Sequence, residues 1–194
     1  MTDHFQRSWA VVQKNLGAWV LYFLAFMGVS VVTGGLGMLL TFNVFRGVRD
    51  AVREERGPVI GSIFKLDQVQ RDLPALATFL GAIFVGSAVG GIGGYLAHIL
   101  LGWVPMLATE DRFASGDLWK ISLKAAQDDW QELVVFSLIA GGITMASFCL
   151  CGVPLIVALP VCAVAQWLMY ESHRDRLLEI AAAEGIPLLS ASAE

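Results

Sequence analysis

The side chains in this sequence best equipped for reactive chemistry are three cysteines, three histidines and a handful of carboxylates in polar segments. Cys149, Cys151 and Cys162 are an odd set inside one apolar stretch, where a thiol packs as a small, soft hydrophobe. The Cys-x-Cys pair is too tight for the paired ligands of a zinc hairpin, and a tetrahedral site needs four donors. His98 is the one histidine within an apolar stretch, with Tyr95 a turn away as a hydrogen-bonding neighbour. An ionisable group at membrane depth is a candidate polar site, so Tyr95 and His98 are kept as one. No acid stands in any apolar stretch to relay a proton, and no second histidine to share a metal or haem, so His98 is expected either packed and neutral or near the interface beside Trp103. Glu110, Asp111, Asp128 and Asp129 would have to converge on a metal to perform hydrolysis, whereas helical spacing already explains them as solvated faces. The sequence has no GxSxG, HExxH or P-loop pattern. Neither catalysis nor a metal or other cofactor is expected.

The elements that must position these residues are apolar helices. Of the 194 residues, 56% are hydrophobic and only 15% charged, with a mean hydropathy of +0.65. A soluble domain carries about a quarter charged residues. Residues 15–45, 73–109 and 133–170 contain no Asp, Glu, Lys or Arg. Each is long enough for at least one bilayer crossing, which takes about 20 residues at 1.5 Å rise. The expected class is therefore an all-α integral membrane protein. The net charge of −4 mixes both signs across the polar segments and does not suggest nucleic acid as a partner.

Each apolar block has helix-breaking residues near its middle: Gly34, Gly35 and Gly37; Gly90, Gly91, Gly93 and Gly94; Gly152, Pro154 and Pro160. If each block folds back there, the chain has six short spans in three hairpins, and all 13 basic residues lie on one side of the membrane, as the positive-inside rule prefers. Block one is short for two spans, which requires a first helix beginning near Trp9 and a second running on through Arg46. Four spans, with only block three split at Cys151 to Pro154, is the alternative. Residues 1–172 are read as a single helical membrane domain, and 173–194 as the projecting end of the last helix with a mobile tail.

Three segments carry candidate contacts. An unbroken helix in block two would align Ala82, Gly86, Gly90 and Gly94 with Thr78 and His98 at i+4, a small-residue stripe where another helix can approach closely; a turn at Gly90–Gly94 would cut it short. Arg46, Arg49, Arg53 and Arg56 recur at three, four and three, one basic stripe suited to anionic headgroups, although Asp50, Glu54 and Glu55 lie close enough to pair with it. Trp119, Leu123, Ala126, Trp130 and Leu133 form an amphipathic stripe, with Lys120 and Lys124 off it, that fits either the headgroup layer or the polar ends of the spans. At the N-terminus Phe5, Trp9, Val12 and Leu16 also keep helical spacing. That segment either lies at the interface or lengthens the first span, with Trp9 and Trp19 suited to an aromatic belt.

Gly57 with Ser62, Ile63, Phe64 and Lys65, then Pro105, Met106, Leu107 and Asp111, then Ser122 and Trp130, then Cys151, Gly152, Val153, Pro160 and Tyr170 form a diffuse pattern over residues 55–171. In this order of segments the chain resembles small bacterial multi-pass membrane proteins related to the membrane domain fused to some glycerophosphodiester phosphodiesterases. Pro154 departs from that pattern, which usually has a further glycine there. The resemblance implies six helices in the cytoplasmic membrane with polar loops and termini cytoplasmic. It brings no activity, and none of these residues belongs to a phosphodiesterase catalytic domain. The expected role is a non-catalytic module that contacts membrane lipids and packs against itself or another membrane protein, with a transporter or channel for a neutral or lipidic solute as the alternative.

Overall fold

The structure, a computed structural model, describes residues 2–88, 91–110, 112–113, 116–149 and 154–186. Among these residues all regular structure is helical: α1 (Thr2–Lys14), α2 (Leu16–Val32), α3 (Thr41–Arg53), α4 (Leu66–Ala88), α5 (Gly91–Leu100), α6 (Val104–Thr109), α7 (Leu118–Asp128), α8 (Trp130–Cys149) and α9 (Leu155–Ala183), with 3₁₀ turns at Leu36–Leu40 and Ile60–Phe64. Two compact units share them: Met1–Lys65 with Val135–Glu171, and Leu66–Val134 with Ser172–Glu194.

Local chemistry sets the helix ends. α2 stops because Gly34 takes a left-handed φ of 62°, which lets the N–H of Gly35 reach the Ser30 carbonyl at 2.7 Å and that of Gly34 reach Val31 at 3.1 Å. This six-to-one and five-to-two pairing is a Schellman motif, and a glycine fits it without a Cβ penalty. α9 ends in the same way, with Gly185 at φ 67° and the Ile186 N–H on Ala181. α3 uses the motif with no glycine: Glu55 holds φ 50° while the Arg56 N–H bonds the Ala51 carbonyl at 3.1 Å.

All three apolar blocks are interrupted. Block one breaks after Val32, block two between Ala88 and Gly91, and block three between Cys149 and Leu155. Gly90 and the Cys151–Val153 part of the expected block-three turn lie outside the described residues. The helices produced are unequal, however. Trp130–Ser147 of α8 and the 29 residues of α9 are long and apolar enough to cross a membrane, and α1 with α2 makes at most a third, bent by 97° at their junction. α2 alone has 17 residues and α5 only 10. Six full-length spans do not follow from these lengths, because the glycines that break the blocks leave about 25 Å or less in α2 and α5 at 1.5 Å per residue.

The first unit packs around Trp19, Tyr22, Phe42, Val48, Ile63 and Trp167, each essentially inaccessible. Trp19 thus belongs to the core and not to an aromatic belt. In the second unit the entire α6 segment is buried, as are Trp103, Leu76 on α4 and Ile121 on α7. α4 and α5 form a tight hairpin. A Cβ added to Gly86 would stand 2.6 Å from the Gly93 carbonyl oxygen, and one on Gly93 would collide with the Gly86 carbonyl.

Candidate functional site

α3 shows how a sequence stripe becomes a packed face. Its Arg46 is only 3% exposed, with Nη1 donating to Asn43 Oδ1 at 3.2 Å. Asn43, fully buried, donates through Nδ2 to the carbonyls of Ile63 at 3.1 Å and Lys65 at 2.9 Å, so it ties α3 to the 3₁₀ turn after it. Tyr22 of α2 donates to the Val44 carbonyl at 3.1 Å and lies 3.2 Å from Ser62 Oγ, whose own proton goes to Val59. Gly47 leaves room for this hydroxyl, since a Cβ there would stand 2.7 Å from Ser62 Oγ.

The remaining arginines are engaged too. Arg49 pairs with Asp50 at 2.8 Å, while Arg53 pairs with Glu171 at 3.4 Å and lies over the Trp167 ring, 5.4 Å from its centroid. Arg56 is past the end of α3, because the Schellman turn at Glu55 takes the chain out of the helix, and it bonds Glu54. That bond holds the Glu54 carboxyl below the usual carboxylate range. The four arginines therefore do not form one outward row: Arg46 faces the core, Arg49 and Arg56 pair with neighbouring acids, and Arg53 pairs with Glu171 on α9.

α7 is rotated relative to the stripe read from its sequence. Its buried positions are Leu118, Ile121, Ser122, Ala125 and Ala126. The Ser122 hydroxyl donates to the Leu100 carbonyl at 2.9 Å and accepts the Trp103 N–H at 3.3 Å, so α7 fastens the link between α5 and α6. Trp119, with Lys120 beside its ring, and Lys124 remain outside, and Trp130 is 56% exposed at the start of α8. Lys120 also meets Asp117 at 2.8 Å.

Within the second unit the polar part of α9 is gripped by acids. Arg174 donates through Nε and Nη2 to Glu110 Oε2 at 3.2 and 3.0 Å, and the Glu110 side chain is 3% exposed. Arg112 approaches the same oxygen at 3.7 Å. His173 Nε2 lies 3.2 Å from Glu132, its ring beside Trp103, and Arg176 bonds Asp129 with Asp128 at 3.6 Å. These acids serve helix docking. Among the described residues no group of three or more His, Cys, Asp or Glu is arranged to hold a metal ion; Asp111 lies outside them.

Tyr95 and His98 are both exposed on α5, no hydrogen bond joins them, and the His98 ring is 6.2 Å from that of Phe79. Ala82 is half-buried, and the Cβ of an alanine at Gly94 would stand 3.2 Å from the Ile83 carbonyl oxygen. Gly86 and Gly94 are thus occupied inside the α4–α5 hairpin. Asn43, Tyr22 and the Glu110–Arg174 pair were not singled out from the sequence, since these partners are 20 to 64 residues away and no local spacing marks them. Comparison with protein-family models, curated proteins and solved structures gives no significant match in any of the three.

Proposed function

We propose that this protein is a non-catalytic membrane module whose helices pair as three hairpins in the cytoplasmic membrane, with the polar segments on one side, and which works by packing against other membrane helices or a second copy and by touching anionic lipid. One observation carries the reading: the apolar helices turn large hydrophobes outward. Val31 and Val32 at the end of α2, Phe84, Val85 and Ile92 around the α4–α5 break, and Leu138 and Met145 on α8 are all exposed. In water each such side chain forgoes about 1.5–3 kcal/mol of burial, whereas acyl chains solvate it. The hydroxyls on these helices support the same setting. Thr144 and Ser147 donate to the carbonyls four residues back, at 2.8 and 2.7 Å, and Ser30 does so at 2.9 Å, so none needs water.

For lipid, the outward groups are Trp119, Lys120, Lys124 and Trp130, more than the arginines of α3. For assembly, Gly86 is already committed, while a Cβ at Gly142 on α8 would meet nothing within 4 Å, which leaves room for a neighbouring backbone. The purified protein is expected to require detergent or lipid to stay monodisperse, and its mass in mild detergent to fall when Gly142→Leu is introduced. A chain that stays dispersed in plain buffer overturns the membrane reading. An unchanged mass and unchanged co-purifying partners in Gly142→Leu overturn the assembly reading.

A further inference from the structure

α1 is an amphipathic helix with two unlike flanks. Ser8 and Val12 are its buried positions, and the Ser8 hydroxyl turns back onto the Phe5 carbonyl at 2.8 Å, so the docked face leaves no polar group unmet. At about 100° per residue, Trp9 stands on one side of that face, and Arg7 with Lys14, in line seven residues apart, on the other. Phe5, a turn before Trp9 on the same flank, stacks on Phe136 with ring centroids 5.4 Å apart. Phe136 belongs to the apolar window Trp130–Ser147, so this flank sits beside helix surface that suits hydrocarbon. Trp9 is 45% exposed there, while Arg7 and Lys14 are exposed, Lys14 with only a 4.0 Å approach to the exposed Glu55. The chain then bends by 97° into α2.

Resting on the membrane reading above, the geometry points to α1 as a surface-lying anchor whose partner is the headgroup layer of the bilayer, with Phe5 and Trp9 in the acyl boundary and Arg7 and Lys14 at the level of the lipid phosphates. A helix at right angles to α2 cannot lengthen a span that α2 makes. An indole with its ring in the boundary and its N–H free to bond an ester or phosphate oxygen is the arrangement that tryptophan favours at membrane surfaces. Cationic side chains on the opposite flank extend to the phosphates from a helix in that plane.

Nitroxide labels test this at single cysteines, Arg7→Cys, Trp9→Cys and Ala10→Cys, with the native cysteines replaced by alanine and the full chain reconstituted in phosphatidylcholine vesicles containing phosphatidylglycerol. A label at Met145→Cys, 69% exposed on α8, serves as the hydrocarbon control. Collisions with oxygen and with a water-soluble nickel chelate are compared at each site. The ratio at position 9 should exceed those at positions 7 and 10 by roughly threefold or more, the period of a helix lying in the interface. Depth that rises steadily from position 7 through 9 to 10 overturns the inference in favour of a lengthened span, and equal wetting at all three overturns it in favour of a helix held off the bilayer. A wetted Met145 control would bring down the membrane reading itself, which separates the two failures.

Discussion

At the scale of single residues, the polar side chains of this protein divide by burial into those that hold the fold and those left for the surroundings. Glu110 is the clearest of the first kind, a carboxylate 3% exposed that two arginines approach. Replacing a buried ion's partner leaves the other charge poorly solvated, at a cost of several kcal/mol when both are deep and less when one can reach water. Arg174 is 30% exposed, so Glu110→Gln is expected to lower stability by about 2 kcal/mol. Arg176→Gln, which breaks a pair on a side chain 45% exposed, should cost less than about 1 kcal/mol. Thermal unfolding of both variants in the same detergent checks the order, and equal losses would refute it. Little of this was legible beforehand. The spacing of Arg46, Arg49, Arg53 and Arg56 placed them on one helix, which α3 matches for the first three, but periodicity does not say whether a face meets solvent or a neighbour. Asn43, three residues before Arg46, decides that here by anchoring the face to a turn some 20 residues on.

Element boundaries were better marked, because glycine and proline act on the local backbone. The break expected near Gly34 corresponds to the interruption after Val32, and α4 and α5, which flank the turn expected at Gly90, fold back on one another, although Gly90 and Cys151–Val153 themselves lie outside the described residues. What composition did not reveal is where the stop signal is not a glycine: Glu55 terminates α3 at φ 50° and so removes Arg56 from the helix. A left-handed residue other than glycine carries a penalty of about 1 kcal/mol, so Glu55→Gly is expected to stabilise the protein by about that much, read as a raised midpoint of unfolding. The α4–α5 hairpin supplies a paired test. Gly86→Ala would push a methyl against the Gly93 backbone, which cannot swing aside, and should destabilise by about 1–3 kcal/mol. Gly81→Ala, with nothing within 4 Å of the new methyl, should be neutral or stabilising by up to about 1 kcal/mol. If the two variants melt alike, the close approach of the hairpin is not what Gly86 provides. The stripe through Ala82, Gly86, Gly90 and Gly94 was visible as a pattern, but only the packing of α4 on α5 shows that Gly86 and Gly94 face their own hairpin.

For the molecule as a whole, the distribution of charge predicts a sidedness that the packing does not by itself supply. Single cysteines at Gly61 and Gly116, both exposed and in different polar segments, are expected to react with a membrane-impermeant maleimide from the cytoplasmic side alone in oriented vesicles. Labelling of the two from opposite sides would refute the three-hairpin arrangement and favour an odd number of crossings between them. A different consequence comes from how the units are threaded. One is built from Met1–Lys65 and Val135–Glu171, so its two parts are separated in the chain by most of the other. During synthesis at roughly 5–20 residues per second, the N-terminal part waits roughly 5–20 s for the rest of its core to leave the ribosome. Nascent chains of this protein therefore spend that interval with Phe5 not yet stacked on Phe136 and Arg53 not yet paired with Glu171 or laid over Trp167, so the first unit is left open along its α1 and α3 flanks until α8 and α9 arrive.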